Sequence, residues 1–552
     1  MNELVLKVHP SDNVIVALRD LSAGQVIEFE GQTYQLPYPV NAKHKFITED
    51  LPLNGEVTMY GVLVGKASQP IKRAEPITTF NLKHSAETYS IDKREVSTDW
   101  LVPDVSKWQD RTFLGFHRAD GTVGTANFWL VIPLVFCENR NILKLKDAFE
   151  KALGYGIPDT YQKQVADLAA IYQSGESQQI DDYQGSSSDV YVSRNNRFFS
   201  NIDGIKFLTH ESGCGEGDED SERLTDLFAA YANNPNVAGI TVLSLGCQKT
   251  QFDRLKEQIY EKNPAFDKPL LIFEQQQYGT EYLMLSAAIK ETFKGLIEIN
   301  KIERKPAPIN QITVGLKCGG SDGFSGISAN PVLGYLSDMM VALGAKTLLA
   351  EFPELCGIEQ ELINRSVSLE VATKFATLQT NYARQAQLVG AGFDMNPSVG
   401  NIKDGLITDA MKSAGAAKKG GYSPVTDVLD YCELASKPGL NLVCTPGNDV
   451  LATTGQAASG ANVILFTTGL GTPTGNPVCP VVKVSTNTKL AQRMPDIIDF
   501  DCGEIITGAK TIPQVADELL EYIIQLANGE YAAKAQLLGQ DDFMPWVRSV
   551  NL

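Results

Sequence analysis

Residues Ile205–Gly215 read IKFLTHESGCG, Ile240–Lys249 read ITVLSLGCQK, and Ile312–Gly323 read ITVGLKCGGSDG. Each opens as a run rich in Ile, Val and Leu, and each stops at glycine and cysteine, at Cys214, Cys247 and Cys318. Short apolar runs broken by glycine read as buried parallel strands that end where the backbone must turn. In open α/β sheets, ligands bind in the crevice beyond the carboxyl ends of the strands. Cysteines and small polar residues gathered at three such ends therefore predict a site as well as a fold.

The pattern extends in both directions. ANFWLVIPLVFC, Ala126–Cys137, followed by the helical period of NILKLKDAFEKAL, is a βα unit. SERLTDLFAAYA, QFDRLKEQIYEK and the region from Gly279 to about Arg304 read as helices between strands, and KTLLAEFPEL, GLNLVCTPGND and ANVILFTTGLGTP read as further strands ending in polar or glycine-rich motifs. IPQVADELLEYIIQLANG has the spacing of an amphipathic packing helix with a glycine stop. Residues 1 to about 95 differ: short Val, Ile and Thr runs are punctuated by SAGQ, EGQ, PLNGE and KASQP, which predicts a small all-β module without a long helix. The polar stretch from about Ser85 to Asp110 reads as a linker, and Gln173–Asn201 as an exposed excursion. The expected fold is α/β: an all-β module over 1–95, then two α/β domains over 96–304 and 305–552 with mostly parallel, Rossmann-like sheets.

Forty-eight basic against 66 acidic residues give a net charge of −18, the reverse of a nucleic-acid binder's basic stripe. Phe128–Cys137, the longest strongly apolar stretch, is far shorter than a bilayer span, and MNELVLKVHPSDN lacks the layout of a secretory signal, so a cytosolic protein with no membrane or nucleic-acid partner is expected. Nine scattered cysteines argue for thiols that are buried, metal-bound or reactive, and against a disulfide framework. No GxGxxG opens a helix with an acidic residue about 20 positions on, which disfavours a nicotinamide dehydrogenase.

Several constellations can carry chemistry. His210 and Cys214 stand four residues apart, and with Cys247 and Cys318 they could form a mixed N/S site for iron or zinc; buried cysteines acting as small hydrophobes are the plainer alternative. CGGSDGFSG, Cys318–Gly326, offers backbone N–H groups, the hydroxyls of Ser321 and Ser325, and Asp322 ahead of a helix starting near Asn330, an arrangement suited to a carboxylate or phosphate. NPSVGNIKDG with Asn401 and Lys403, CTPGND with Asp449, and TTGLGTPTG with Thr468 are polar loops at or near strand ends, individually weak and jointly suggestive of substrate binding. Of the five histidines, His9 lies in HPSDN and His44 stands beside Lys45 in NAKHKF.

Taken together, HPSDNV, HKF, YGVLVG, DGTVG, THESGCG, SLGCQ, CGGSDGFSGISANP, NPSVGNIKDG, TPGND and TTGLGTP resemble the altronate and galactarate dehydratase family along essentially the whole chain. The resemblance implies that the all-β module is a SAF domain with a β-clip-like fold closing over a site in the main body. It implies loss of water from a small-molecule sugar acid to give a 2-keto-3-deoxy product, with Fe(II) as cofactor and Mn(II) as the alternative. Three separated cysteines also leave an iron–sulfur cluster open. On this reading Cys214, Cys247 and Cys318 are candidate metal ligands. His44 is the candidate base or acid with Lys45 orienting the substrate carboxylate, His210 and Asp322 are further acid–base candidates, and Ser321, Asn401, Lys403, Asp449 and Thr468 contact substrate. Leu470 and Ala126 stand where the family often has basic residues, and Val399 where it has proline, so the particular sugar acid stays open. A sugar-acid-binding protein without turnover is the reading from another class, and a homo-oligomer is left open.

Overall fold

The computed structural model describes residues 4–97, 100–185 and 196–548. Its largest sheet has seven parallel strands in the order Val425–Leu429, Gly439–Val443, Lys346–Leu349, Thr313–Cys318, Val463–Thr468, Val481–Ser485 and Phe500–Asp501. From Thr313–Cys318 the chain first builds outward to one side through Lys346–Leu349, then returns to the other side as Val463–Thr468. That reversal places the switch point, where a parallel sheet opens a crevice, between Cys318 and its register partner Thr467. A second parallel sheet has the order Gly204–Phe207, Phe128–Pro133, Val237–Ser244 and Leu270–Glu274, with its own reversal at Phe128–Pro133. Most strands of both sheets are covered on both faces, which is why they read as unbroken apolar runs without alternation.

The N-terminal module is built of short antiparallel strands. Val5–Leu6, Val14–Ala17 and Lys45–Ile47 form one set, Val26–Phe29 pairs with Gln32–Gln35, and Glu56–Met59, Val62–Ala67 and Leu82–Lys83 form another. The expected α/β class with a strand-rich N-terminal module and two large parallel sheets is therefore the architecture found. The amphipathic helix comes out as Ile512–Ala527, with Thr511 and Gln514 forming its capping box and Val515, Leu519, Leu520 and Ile523 buried. No helix among the described residues is long and apolar enough to cross a membrane.

Two connections differ from a plain reading of composition. The polar stretch from Ser85 to Asp110 is, in its described residues, a strap along the C-terminal body: Ser90 N–H donates to Gln360 Oε1 at 2.9 Å, Arg94 donates to the carbonyls of Ile363 and Ser366, and the Trp108 indole donates to Asp517 at 3.0 Å. Its polarity serves hydrogen bonds to the body, which composition cannot distinguish from solvation. Thr112–His117 then pairs antiparallel with Lys305–Pro308, so the chain enters and leaves the second α/β unit through adjacent strands. Of the expected excursion over 173–201, the part from 173 to 185 is mostly exposed, and residues 186–195 lie outside the described residues.

Glycines set how closely the module can approach the body. A Cβ on Gly323 would lie 2.5 Å from the Lys43 carbonyl oxygen, one on Gly405 2.4 Å from the same atom, and one on Gly326 2.3 Å from the Tyr60 hydroxyl. Val57, Met59, Tyr60 and Val64 of the module share one continuous apolar core with Phe324, Ile327 and Ala414 of the body. Gly326→Ala should cost about 1–3 kcal/mol of stability by overpacking, read as a lower thermal midpoint and faster proteolysis within the module. Adding Tyr60→Phe, which removes the clashing hydroxyl, should restore part of the loss.

Candidate active site

The loop after Thr313–Cys318 and the loop after Val463–Thr468 flank the switch point and are tied together. The amides of Gly469 and Leu470 both donate to the Gly320 carbonyl at 3.0 Å. Asp322 is fully buried between them. Its Oδ1 accepts from the Ser325 hydroxyl at 3.0 Å and from Phe324 N–H at 3.2 Å, and its Oδ2 accepts from the Thr486 hydroxyl at 3.1 Å. Room for this carboxylate depends on Gly469, where a Cβ would come within 2.1 Å of Asp322 Cγ. Asn401 clamps the neighbouring loop: its Nδ2 donates to the Ser321 carbonyl at 2.8 Å and its Oδ1 accepts Ser398 N–H. The buried Thr468 hydroxyl oxygen accepts Gly471 N–H at 2.9 Å. Leu470 lies in the same crevice, near Gly320 and Gly400.

The module brings Lys43, His44 and Lys45 onto these loops. Lys43, in the left-handed region at φ 76°, places Nζ 3.1 Å from Asp322 Oδ2 and 2.7 Å from Asp404 Oδ1. Burial would lower its pKa, but the two carboxylates outweigh burial and hold the ammonium above the ordinary lysine value. His44 Nε2 lies 2.9 Å from the Lys403 carbonyl oxygen. A carbonyl only accepts, so Nε2 carries the proton and Nδ1 is the basic nitrogen. Burial keeps this ring below the usual histidine pKa. Lys45 is fully buried and donates to the Gly405 carbonyl at 2.6 Å; burial, only partly opposed by Asp322, pulls its pKa down to about 7.

Beneath the crevice lies a buried ionic network. Lys317 bonds Glu351 and the Cys318 carbonyl and reaches Asp449 at 3.0 Å. Lys412 Nζ is 2.9 Å from Glu354, and Lys419 Nζ is 2.7 Å from the Cys318 sulfur. Glu354 Oε2 stands 3.1 Å from the same sulfur. Burial pushes the Cys318 thiol up to about 12, with Glu354 adding to the shift. Burial also raises Glu351, whereas Glu354 is lowered because Lys412, Lys419 and Lys317 together overcome burial. Glu351 sits in the left-handed region at φ 75°, an uncommon place for a non-glycine, held there by its N–H to the Thr445 hydroxyl and by Lys317.

The sequence-predicted residues separate into groups. His44, Lys45, Ser321, Asp322, Asn401, Lys403, Asp449, Thr468 and Cys318 come together around the switch-point loops. Asn401 uses its amide to hold loops, Lys403 contributes its backbone carbonyl to His44, and Asp449 faces Lys317. Cys214 and Cys247 follow strands of the other sheet and are exposed, while Cys318 is buried and has Glu351 and Glu354, not the other two thiols, as its neighbouring ligand atoms. His210 has both ring nitrogens committed within that other sheet: Nδ1 accepts Ser212 N–H at 3.0 Å, so Nε2 donates to the Pro133 carbonyl at 2.8 Å. Burial pulls its pKa down to about 4. Ala126 precedes the strand Phe128–Pro133 and is buried at its amino end, away from the loops at the carboxyl ends. Lys43, Asp404, Glu351, Glu354, Lys412 and Lys419 also belong to this region, although no motif marks them. The alternating cations of AKHKF and the paired carboxylates of AEFPEL were the available signals.

Two groups of ligating side chains among the described residues bring three donor atoms within 4.8 Å of one another: Cys318 with Glu351 and Glu354, and His84 with Cys356 and Asp409. The first does not fit a divalent ion, because Lys317, Lys412 and Lys419 already occupy its anionic face. The second fits. Asp409 Oδ2 is buried without a hydrogen-bond partner, and burial together with Glu354 pushes this carboxyl up to about 8, with Lys412 offsetting only part. An imidazole, a thiol and an underneutralised carboxylate suit iron or zinc.

The buried network predicts an asymmetry between interior and surface lysines. Lys419→Met, which leaves Glu351 and Glu354 underpaired, should cost about 3–5 kcal/mol, whereas Lys107→Ala at the exposed Asp517 pair should cost about 0–1 kcal/mol; urea unfolding measures both.

Family models match in chain order. The altronate/galactarate dehydratase SAF domain covers residues 3–85, the second domain of D-galactarate dehydratase/altronate hydrolase covers 115–300, and the C-terminal domain of D-galactarate/altronate dehydratase covers 309–551. The chain is 32% identical over 528 residues to the altronate dehydratase of Bacillus subtilis (strain 168), covering 95% of each chain. It is 31% identical over 526 residues to the altronate dehydratase of Escherichia coli (strain K12), again covering 95% of each. It is 29% identical over 530 residues to the galactarate dehydratase (L-threo-forming) of the same strain, covering 95% of this chain and 93% of the relative. With its N-terminal strand module, two parallel sheets and all three domain models in order, the chain belongs to the D-galactarate/altronate dehydratase family.

Proposed function

We propose that the protein is a hydro-lyase acting on a sugar acid, with D-altronate as first substrate and 2-dehydro-3-deoxy-D-gluconate as product. The observation that supports this most directly is the Lys43–His44–Lys45 segment lying on the Asp322 loop at a switch point, in a chain similar to altronate dehydratases over 95% of its length. Galactarate or another sugar acid is the alternative within the same reaction class, supported by the 29% identity to a galactarate dehydratase.

The chemistry requires removal of a proton from C2, beside a carboxylate that is already negative, and departure of hydroxide from C3. Fe(II), with Mn(II) as second choice, held by His84, Cys356 and Asp409, would supply Lewis-acid stabilisation of the charge that builds on the carboxylate. His44 Nδ1 takes the C2 proton, since Nε2 is committed to the Lys403 carbonyl. The electron pair left at C2 forms the C2–C3 double bond as the C3 hydroxyl leaves, and a proton donated to that hydroxyl completes water. Lys45 is the donor, because an amine brought to about 7 by burial is shared between its charged and neutral forms at neutral pH. The enol then converts to the 2-keto acid. Lys43 is the fixed cation near the substrate carboxylate, the Thr468 and Ser321 hydroxyls meet substrate oxygens, and Leu470 shapes the crevice in which the sugar chain lies.

Anaerobic assay with Fe(II) against altronate, galactarate and related sugar acids should give a 2-keto-3-deoxy product, altronate fastest. Binding without turnover of any of them would instead make the protein a sugar-acid-binding protein. His44→Ala should fold, retain metal and lose about 100-fold or more in kcat, the scale of a general acid or base. Protonation of His44 is the inactivating event, and burial lowers its pKa, so the acid limb of kcat/KM should fall below 6.5. In His44→Ala that limb should vanish.

A further inference from the structure

The cysteines divide by exposure. Three of the nine, Cys137, Cys214 and Cys247, are exposed, and the other six are buried or partly buried. The exposed three lie beyond the carboxyl ends of three neighbouring strands, Phe128–Pro133, Gly204–Phe207 and Val237–Ser244, around the switch point of the second sheet. Their loops also touch one another. Phe136 N–H donates to the Ser212 carbonyl at 3.0 Å, and Lys249 N–H donates to the Gly213 carbonyl at 3.2 Å. Gly213 is packed so tightly that a Cβ there would lie 2.6 Å from Val135 Cα. Each cysteine is therefore within two residues of a contact to the 212–213 turn. Gly213, Gly215 and Gly246 take positive φ of 99°, 85° and 119°, which lets the backbone turn sharply on both sides of Cys214 and before Cys247. In the same turn Glu216 is 2% exposed; one carboxylate oxygen accepts Gly213 N–H at 3.0 Å, and the other is buried with no hydrogen-bond partner.

From this geometry we infer that Cys137, Cys214 and Cys247 are the three thiolate ligands of an iron–sulfur cluster of the [4Fe–4S] type. A single ion would draw its thiolates closer together than a cluster does. Thiolates bound tetrahedrally to one zinc at bonds of about 2.3 Å sit roughly 4 Å apart, whereas these three sulfurs do not all lie within 4.8 Å of one another. A cluster spreads its thiolates over several irons. Each thiol gives up its proton on ligation. With three protein ligands for four irons, one iron would keep an open position, suited to a carboxylate or hydroxyl oxygen of a small acid. Cys137 completes the set in place of Cys318, which is buried in the other sheet against Lys419 and Glu354. This site is separate from His84, Cys356 and Asp409 and does not rest on the dehydratase reading.

The test uses the full chain, purified anaerobically and reconstituted with iron, sulfide and dithiothreitol. About four acid-labile sulfide per chain are expected, with about four iron beyond any ion held at His84, Cys356 and Asp409, and with the broad visible absorption of sulfide-to-iron charge transfer. The cluster should be lost when Cys137, Cys214 and Cys247 are replaced together by serine and kept in Cys356→Ser and Cys432→Ser. A second readout needs no variant: alkylation mapped by mass spectrometry should find these three cysteines reactive in the metal-free chain and shielded together in the loaded one. Sulfide-free binding of a single metal ion that shields Cys137, Cys214 and Cys247 from alkylation, failure to bind iron and sulfide at all, retention of the cluster in the triple variant, or alkylation of the three cysteines unchanged by loading would each overturn the inference. Because none of these measurements depends on turnover, loss of the cluster and loss of sugar-acid dehydration are read separately.

Discussion

A carboxylate taken wholly out of water is tolerable only where cations and donors surround it, and the position of Asp322 makes that demand at the centre of the molecule. The loop's own Ser325 and Phe324 meet it in part, Thr486 adds a hydroxyl, and the cation comes from Lys43 in a different module. The loop can thus be buried only with the module in place. The same logic governs the layer below, where Lys317, Lys412 and Lys419 are buried together with Glu351 and Glu354, and the partly exposed Asp449 meets Lys317 at its edge. Ions paired this way add little net stability over well-packed apolar groups, but they fix which residue faces which. A site assembled from separate strand ends and a foreign module needs that kind of specification.

Much of the fold is legible in the sequence, because strands covered on both faces must be continuously apolar and must stop at glycine or polar residues. ITVGLKC and ANVILFTT announce two neighbouring strands of the large sheet, and their glycine-rich sequels announce the crevice. What cannot be read is which strand ends belong to the same sheet. Cys214, Cys247 and Cys318 share one local pattern, yet the topology sends the first two and the third to different sheets. Cys137 does not stand out in the sequence, because its run, FWLVIPLVFC, ends without a glycine. Its place beside the other two follows from strand order, which local periodicity does not encode.

The candidate site shows the same division. His44 stands out because the chain has only five histidines, Lys45 because it adjoins His44 in HKF, and Asp322 because Ser-Asp follows two glycines. The partners that give them their properties come from distant segments: Asp404 for Lys43, the Lys403 carbonyl for His44, and Gly405 for Lys45. The glycines of CGGSDGFSG read equally well as an anion-binding loop. In the fold two of them, Gly323 and Gly326, are small because module atoms occupy the space a side chain would need.

The sharing of one apolar core between module and body bears on how a substrate arrives. Elements that act as swinging covers belong to the weakly held part of a protein, with few apolar contacts to break. Here Val57, Met59, Tyr60 and Val64 lie in the same core as Phe324 and Ile327, so lifting the module would expose a substantial oily face to water at every cycle. The seat of the His44 segment is therefore part of the folded core and not a loosely held cover. The entropy of positioning that ring is lost once, during folding, and is not spent again when a ligand binds.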